Sequence, residues 1–467
     1  MKITEFTKKV KSGEIDIIKN TIHTLDECKK INSEYHYFNT ISEELALFQA
    51  KEMEKNPKGK LAGLPVSVKD CICVKDVETT SGSKVLKGYK PVFDATVIER
   101  IKHEGAIIVG KTSQDEFGFG GFSTNVGIGY KVPLNPFDKE RSTGGSSGGS
   151  AGIIQKASFA HVSLSESTGG SIVNPASFCG VFGLCPTYGR VSRYGLLDYG
   201  NSLDKIGVMS KYIEDIALMM EVIAEHDPRD STSANLPVEK YSDFLKKDIE
   251  GMKVGLIKES LGEGTDEAVK KHTLAFVEKL KSHGAIVEDV SLPITMEYGL
   301  AVYYLIATSE ASTNLAKYCG MRYGFHEELK GNFNEYFSHV RENAFGQEAK
   351  RRIMLGTFAR MAGYRDAYYL KAAKIRTMII DEYKKLFKRF DVLISPTVPI
   401  LPPKFSEIEK LSIVQNYMID ILTVGPNLAG VPHMNIPVGF QNGLPVGVMA
   451  IAGHFHEGEL IRVGNLK

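Results

Sequence analysis

Predicted helices alternate with short apolar strands along most of this chain, and this alternation limits the fold more than any other feature. A predicted strand at 64–74 is followed by a helix and a buried strand at 95–110, and a second helix–strand run covers 211–290. Residues 391–397 form another buried strand, which leads into prolines. This order predicts an α/β fold in which helices cover a sheet.

The composition limits the classes of partner and the compartment. Lys and Arg number 57 against 56 Asp and Glu, which gives a net charge of +1. The chain therefore lacks the overall positive field of a nucleic-acid-binding protein, and any RNA in its reaction should be held by a partner. Six scattered cysteines, with neither an export signal nor a long apolar run, predict reduced thiols, a cytoplasmic location and no membrane association. The usual zinc spacings are absent, so we predict no metal site in this chain.

One segment matches a phosphate-binding motif by its letters but not by its physical context. Residues 105–112, GAIIVGKT, fit the pattern GxxxxGK[ST]. A phosphate loop needs central residues that turn tightly around the anion, after a strand. Here the central residues are apolar and mostly β-branched, and a predicted helix precedes them. We therefore expect a strand at this position and no ATP site.

Two clusters of glycine and serine lie close together in the chain. They are GGSSGGSA at 144–151 and STGGSIVNPASFCG at 167–180. A flexible linker is the ordinary explanation of such a cluster, but ordered-looking sequence flanks both. Residues 144–148 also fit the GxSxG elbow of α/β-hydrolases, although loop-like residues precede them where that elbow needs a strand. Glycines permit close backbone approach and serines supply hydroxyls, so the two clusters are candidates for acyl chemistry.

Lys69 is a third candidate, in the first predicted strand. It shares a face of that strand with Ser67 and Cys71, whereas the other face is apolar. Burial disfavours the charged form of lysine, so a buried Lys69 could act as a base near neutral pH. An ion-paired or partly solvated lysine would give the same pattern, and the sequence leaves both explanations open.

Lys69, GGSSGGSA and TGGSI together resemble the amidase signature family, which hydrolyses amides with a Ser-Ser-Lys triad. Within that family, from about Leu61 onwards, the chain is similar to the A subunits of tRNA-dependent amidotransferases. The segments that carry this second resemblance are PTYGRVSRYGL, SLDKIG, EAKRRIMLGT, DAYY and NLAGVP. The resemblance implies an α/β/α sandwich with a central mixed sheet covered by helices on both faces. It also implies an N-terminal helical region at 1–60 and one amidase domain at 61–467, with a helical insertion at about 300–385.

The resemblance also implies the roles of the site residues by motif position. Ser171 would be the nucleophile, Ser146 the bridging serine and Lys69 the base, with the bridging serine held by a cis peptide bond. Three main-chain N–H groups would stabilise the oxyanion: those of Thr168, Gly169 and Gly170. The substrate would be glutamine, with Arg352 on its α-carboxylate and Asp420 on its α-ammonium group. A charge on a helix surface is the alternative for Arg352.

A complex follows from the same resemblance. The ammonia would pass to a tRNA-holding kinase, the B subunit, which activates the mischarged aminoacyl-tRNA with ATP and Mg²⁺, and the small C subunit would clamp the two. This chain itself would hold no cofactor and would contact tRNA only through the tRNA-holding partner. The product would be glutaminyl-tRNA, asparaginyl-tRNA or both. The alternatives are a stand-alone amidase of another small amide and a catalytically weak scaffold subunit.

The loop before the nucleophile departs from the family pattern, which is Asp-Thr-Gly-Gly-Ser followed by Ile-Arg. Here Ser167 stands directly at the position of the aspartate, Val173 stands at that of the arginine, and the spacing from Ser146 to Ser171 is one residue longer. Either Ser167 replaces the acid, or Glu166 is the acid and one residue is inserted after it. The first alternative loses an Asp–Arg ion pair as a whole, and removing both partners of a buried pair can be nearly neutral. The second alternative would distort the oxyanion loop.

Overall fold

The computed structural model describes residues 1–466, and within them eleven strands form one mixed sheet. The strands are β1 (Phe38–Ile41), β2 (Pro65–Lys69), β3 (Ile107–Thr112), β4 (Val162–Ser167), β5 (Phe182–Cys185), β6 (Lys205–Ser210), β7 (Lys253–Ile257), β8 (Ile286–Val290), β9 (Val392–Pro396), β10 (His433–Gln441) and β11 (Leu444–Ala452). Their spatial order is β1-β3-β2-β4-β6-β5-β10-β11-β9-β7-β8.

Helices surround this sheet. They are α1 (Ile3–Lys11), α2 (Ile17–Tyr35), α3 (Glu43–Lys55), α4 (Thr96–His103), α5 (Gly148–Lys156), α6 (Val173–Phe178), α7 (Ile213–Ile223), α8 (Glu267–Ser282), α9 (Pro293–Asn314), α10 (Phe333–Ala344), α11 (Gln347–Arg360), α12 (Lys371–Leu386), α13 (Phe405–Ile408), α14 (Ile413–Tyr417), α15 (Val424–Ala429) and α16 (Glu457–Gly464). No helix among residues 1–466 combines the length and the apolar character that crossing a bilayer requires.

The sheet mixes parallel and antiparallel pairs. Strand β2 runs parallel to β3 and to β4, and β7 runs parallel to β8 and to β9. The hairpin β10–β11 lies in the middle, where β10 pairs with β5 and β11 pairs with β9, both antiparallel. The hairpin therefore joins the two groups of parallel strands into a single sheet.

Apolar cores lie on both faces of the sheet. Successive residues of one strand point to opposite faces, so Val448 and Met449 of β11 enter different clusters. One cluster includes side chains of α4, α7, α8 and α16, and the other includes side chains of α9, α12 and α15. Helix α8 shows why such helices form, because Val269, Phe276 and Leu280 recur at helical spacing and bury a single face. The predicted α/β sandwich is confirmed.

The N-terminal region contributes more than the helices expected from its sequence. Strand β1 pairs antiparallel with β3 at the edge of the sheet, and the main-chain N–H of Ile3 donates to Asp215 Oδ1 at 2.9 Å. A four-residue strand carries too little periodicity to be recognised without its partner. The division at residues 60 and 61, and the helical insertion at 300–385, stay predictions.

The segment that matches the phosphate-binding motif is strand β3, as its apolar residues indicate. Lys111, the lysine of the motif, is fully buried, lies 3.5 Å from Asp70 and donates to Thr79 Oγ1 at 2.8 Å. Its ammonium group therefore contacts internal partners and does not face a phosphate-binding loop.

Candidate active site

The candidate residues gather at one edge of the sheet because three parallel strands end there. Strands β2, β3 and β4 lie side by side and run in the same direction, so their carboxyl ends adjoin. Lys69 is the last residue of β2, and the loop that carries Ser171 begins directly after β4. The carboxyl ends of parallel strands are the usual place for a binding site in α/β proteins.

Lys69 Nζ makes three short polar contacts, all of them buried. It lies 2.7 Å from Ser146 Oγ, 2.9 Å from Glu166 Oε2 and 3.0 Å from the main-chain oxygen of Glu166. An ammonium group donates to all three acceptors. A neutral amine donates to the two oxygens of Glu166 and turns its lone pair to the hydroxyl of Ser146. The same positions therefore satisfy both protonation states, and Lys69 is both the ion-paired lysine and the candidate base.

The segment that carries Ser146 is fixed by its glycines. The peptide bond between Gly145 and Ser146 is cis, and Gly145 N donates to the oxygen of Gly121 at 2.8 Å. A Cβ on Gly145 would lie 2.2 Å from Asp115 Oδ2, so no larger residue fits there. Burial raises the pKa of Asp115 to about 6, against hydrogen bonds from the N–H groups of Asn125 and Ser123.

Ser171 lies in the loop between β4 and α6, with 6% of its surface exposed. Helix α6 follows this loop, and its Asn174 donates from Nδ2 at 3.0 Å to the oxygen of Gly121, which also accepts from Gly145 N. A Cβ on Gly144 would lie 2.8 Å from Asn174 Oδ1, so the two backbone segments are in close contact. Within residues 1–466 no hydrogen bond joins Ser171 Oγ to Ser146 Oγ. The expected proton path between the two serines stays a prediction.

The loop before Ser171 presents free main-chain donors, those of Thr168, Gly169 and Gly170. Across the part of the chain that the structure describes, these N–H groups donate to no internal acceptor. The carbonyl groups, in contrast, are held: Asn427 Nδ2 donates to the oxygen of Gly169, and Asn174 N donates to that of Gly170 at 2.8 Å. Fixed carbonyls with free N–H groups are what an oxyanion site requires, because donors that are already oriented need no reorganisation.

Arg352 and Asp420 meet at a shared tyrosine. Asp420 Oδ2 accepts a hydrogen bond from the hydroxyl of Tyr304 at 3.0 Å, and the guanidinium of Arg352 lies 5.2 Å from the centre of the same ring. Arg352 also donates from Nε to Glu348 Oε1 at 2.8 Å and from Nη1 to Tyr199 Oη at 2.6 Å. Among residues 1–466 its Nη2 has no hydrogen-bond partner. The guanidinium group that was expected to bind the substrate thus already donates to protein groups from Nε and Nη1, which leaves Nη2 for a ligand.

The carboxylate of Asp420 lies next to the loop that carries Ser171. A Cβ on Gly170 would lie 3.3 Å from Asp420 Oδ1. Burial raises the pKa of Asp420 to about 6, although the Tyr304 hydroxyl and the charge of Arg352 oppose the shift. Asp420 is therefore an anion at neutral pH and can accept an ammonium group.

A cavity of about 570 Å³ opens at the Arg352 end of the site. Gly121, Tyr304, Arg352 and Tyr417 are among the residues that line it. Ser146 and Ser171 lie outside its lining, but Gly121 is bonded to the Ser146 segment through Gly145. The cavity is large enough for an amino acid and reaches Arg352, whereas Asp420 and the two serines lie beyond its lining.

The departures from the family pattern have a clear structural outcome. The carboxylate that reaches Lys69 belongs to Glu166, whereas Ser167 Oγ is buried and, within residues 1–466, makes no hydrogen bond. Val173 is fully buried in the apolar cluster shared with α9 and α15. An acid is therefore present beside Lys69, while the apolar Val173 stands where the family pattern has arginine.

Several side chains of this site were not predicted from the sequence, among them two tyrosines and an asparagine. Tyr304 lies mid-helix in α9, Tyr199 in a loop, and Asn427 in the segment NLAGVP. Only Asn427 had a signal, since its segment contributed to the family resemblance. The tyrosines become recognisable only when α9 packs against α11 and places Arg352 beside them.

Comparisons with known proteins extend the likeness over nearly the whole chain. The sequence model of the amidase family matches residues 19–461. The A subunits of glutamyl-tRNA(Gln) amidotransferase from Carboxydothermus hydrogenoformans and from Geobacillus kaustophilus are each 45% identical to the chain, over 99% of its length and over 95% and 96% of theirs. The crystal structure of the corresponding subunit from Thermotoga maritima gives a TM-score of 0.82 at 35% identity, over 99% of this chain and 93% of that one. On these matches and on the strands and loops described above, the chain belongs to the amidase family.

Proposed function

We propose that this chain is the glutamine-hydrolysing subunit of a tRNA-dependent amidotransferase. The observation that carries the proposal is the 2.7 Å contact between Lys69 Nζ and Ser146 Oγ, beside a loop with free N–H groups and an Arg–Asp clamp. The relatives that are 45% identical over almost the full length carry the name of such a subunit. Full-length similarity together with an intact base and both serines supports an active enzyme.

The chemistry follows from the positions of the groups. Lys69 takes a proton from Ser146, which takes one from Ser171, and Ser171 Oγ attacks the side-chain amide carbon of glutamine. The main-chain N–H groups of the loop stabilise the resulting oxyanion. The proton held by Lys69 returns through Ser146 to the amide nitrogen, and ammonia leaves. Water then cleaves the glutamyl ester on Ser171 by the same route and releases glutamate.

The clamp selects an amino acid as the substrate. The free Nη2 of Arg352 binds the α-carboxylate, and Asp420 binds the α-ammonium group. Because Asp420 adjoins Gly170, a glutamine held in this way extends its side chain towards the nucleophile loop. A simple amide without these two charges would use neither group.

The released ammonia serves a partner. The word "subunit" in the names of the relatives supports a complex. In it, the tRNA-holding kinase binds glutamyl-tRNA(Gln), aspartyl-tRNA(Asn) or both and activates them with ATP and Mg²⁺, and the small third protein clamps the assembly. This chain then needs no cofactor and contacts tRNA only through the kinase. Its six cysteines are free thiols, which supports work in the cytoplasm. Ammonia release from glutamine and amidation of the charged tRNA by the co-expressed complex test the function.

Arg352→Gln should raise the KM for glutamine about 10- to 100-fold, because it removes a charge-assisted hydrogen bond to the α-carboxylate. The measurement is the steady-state rate of ammonia release by the complex. Arg360→Gln is the matched control, since Arg360 lies on the same helix α11 but bonds Ser312 outside the site. Equal KM values in the two variants would contradict the clamp and favour a stand-alone amidase of a simpler amide.

The KM for glutamine should also depend on pH. The pKa of Asp420 is raised to about 6, so below that pH the carboxyl is neutral and no longer pairs with the substrate ammonium group. The KM should therefore rise by about tenfold per pH unit on the acid side. Glutaramic acid, which lacks the α-amino group, is the control substrate and should show no such rise. A rise of equal size with both substrates would assign the titration to another group, such as Asp115.

A further inference from the structure

We propose that Glu166 and Asp204 share one proton through the hydroxyl of Thr168, and that this carboxyl–hydroxyl–carboxyl relay positions both the base Lys69 and the oxyanion loop. The inference rests on the proposed function for its catalytic meaning. Strand pairing creates the relay: Ser167 of β4 lies opposite Lys205 of β6, which brings their neighbours Thr168 and Asp204 together.

The proton count follows from the hydrogen bonds of Thr168. Its Oγ1 lies 2.8 Å from Glu166 Oε1 and 2.8 Å from Asp204 Oδ1. A hydroxyl has one proton to donate, and an ionised carboxylate can only accept. Two ionised carboxylates would leave one of these buried contacts without a proton. One carboxyl group must therefore be protonated and donate to Thr168, while Thr168 donates to the other.

The surroundings place the negative charge on Glu166 and the proton on Asp204. Glu166 Oε2 lies 2.9 Å from Lys69 Nζ, whereas Asp204 accepts hydrogen bonds only from the main-chain N–H groups of Tyr199 and Gly200 within residues 1–466, apart from its contact with Thr168. Burial raises the pKa of Asp204 well above its ordinary value, and the charge of Glu166 raises it further.

Other titratable groups near the relay do not change this assignment. Arg193 acts on Asp204 only at a distance and opposes the shift of its pKa. Burial raises the pKa of Cys71, so this thiol, which faces Lys69 and Glu166, stays neutral. Burial raises the pKa of Asp115, whose carboxylate lies against Gly145, to about 6, so this group is ionised above neutral pH.

The relay links two parts of the site that the chain separates. One end orients Lys69 towards Ser146 through Glu166, and the middle member, Thr168, carries the first of the oxyanion donors on its own backbone. Displacing either end moves the base or the donors, and a shift of about 1 Å in such groups can cost about a hundredfold in rate. Glu166, Thr168 and Asp204 are positioning residues in this arrangement.

Two isosteric substitutions test where the proton lies. Asp204→Asn puts an amide N–H where the protonated carboxyl donates and keeps an oxygen for the main-chain donors, so kcat/KM should fall by about tenfold at most. Glu166→Gln removes the anion beside Lys69, so kcat/KM should fall about a hundredfold. It should also move the ascending limb of the pH–rate profile to lower pH, because the charged form of the base loses its partner. Asp215→Asn, a buried aspartate remote from the site, is the control and should leave the activity of the complex unchanged.

Thr168→Val and Thr168→Ser test the middle of the relay. Valine keeps the shape but removes the hydroxyl, so kcat should fall while the KM for glutamine stays the same, because the clamp is untouched. Serine keeps the hydroxyl and should restore most of the lost rate. Equal rates in the two variants would overturn the relay.

Infrared spectroscopy detects the protonated carboxyl group directly, so this test does not depend on enzyme activity. At alkaline pH, where Asp115 and Asp420 are ionised, the folded complex should show the carbonyl stretch of a protonated carboxyl group. Asp204→Asn should remove this band and Asp215→Asn should retain it. Absence of the band from the wild type, or a greater loss of activity in Asp204→Asn than in Glu166→Gln, would overturn the proposal. A wild type that shows the band but releases no ammonia would refute the proposed function and leave the shared proton in place.

Discussion

Replacing Ser171 with alanine should reduce ammonia release from glutamine at least about a thousandfold, the largest loss we expect from one substitution. Without its hydroxyl group no glutamyl ester forms, and the oxyanion donors and the clamp act on a bound substrate that no nucleophile attacks. The rate is measured with the chain co-expressed with its partner proteins. Mass spectrometry after an acid quench should find the glutamyl adduct on the peptide containing Ser171 in the wild type only.

Ser177→Ala is the matched control for this experiment. Ser177 lies in α6, a few residues after Ser171, and is likewise buried, but it is no part of the site. This variant should assemble and react like the wild type. Substantial hydrolysis by Ser171→Ala would show that another group is the nucleophile. A wild type that assembles with its partners and releases no ammonia would support the scaffold alternative, with Val173 in place of the usual arginine as its cause.

The second large effect is expected for Lys69→Met, which should lower kcat about a thousandfold. Methionine fills most of the volume of the lysine but can neither accept the proton of Ser146 nor pair with Glu166. The substitution should also destabilise the fold by about 3 kcal/mol, because it leaves the carboxylate of Glu166 buried without its partner. Both quantities are measurable, the first by ammonia release and the second by urea unfolding.

The double variant Lys69→Met/Glu166→Gln separates the two consequences. Removing both members of a buried ion pair costs much less than removing one, so much of the stability should return. The activity should not return, because no base replaces Lys69. If stability and activity recovered together, Lys69 would be a structural residue and the base would have to be sought elsewhere.

The fold class could be predicted because helical and strand periodicities are local properties. The first strand, the strand within GAIIVGKT and the helix predicted at 266–283 all follow from the spacing of their own apolar residues. The first strand was predicted over 64–74 but ends at Lys69, so its existence follows from the spacing and its length does not. Strand β1 could not be predicted in this way, since four residues gain their extended form from pairing with β3. The order of strands in the sheet depends on contacts between distant segments, which periodicity does not describe.

The site residues that lie in recognisable sequence motifs could be predicted. Those that reach the site only through the packing of distant segments could not. Lys69 and Ser146 come together because the end of β2 adjoins a glycine-rich loop whose sequence is distinctive. The sequence left two alignments open, with Ser167 in place of the acid or with Glu166 as the acid, and only the structure shows that Glu166 contacts Lys69. Tyr304 has no local signal at all, because its role depends on how α9 packs against α11 and on where Asp420 lies.

The central position of hairpin β10–β11 has a consequence for biosynthesis. A ribosome completes strands β1 to β9, with Lys69, Ser146 and Ser171, before it makes the hairpin that joins β5 to β9. Until then, two half-sheets expose unpaired edges, which are sites of aggregation during folding. Asp420 and Asn427 are also made late, immediately before the hairpin. A nascent chain that ends before Asp420 therefore carries Lys69, Ser146 and Ser171 but neither the carboxylate beside Gly170 nor the amide that bonds Gly169, so we expect no release of ammonia before the sheet closes.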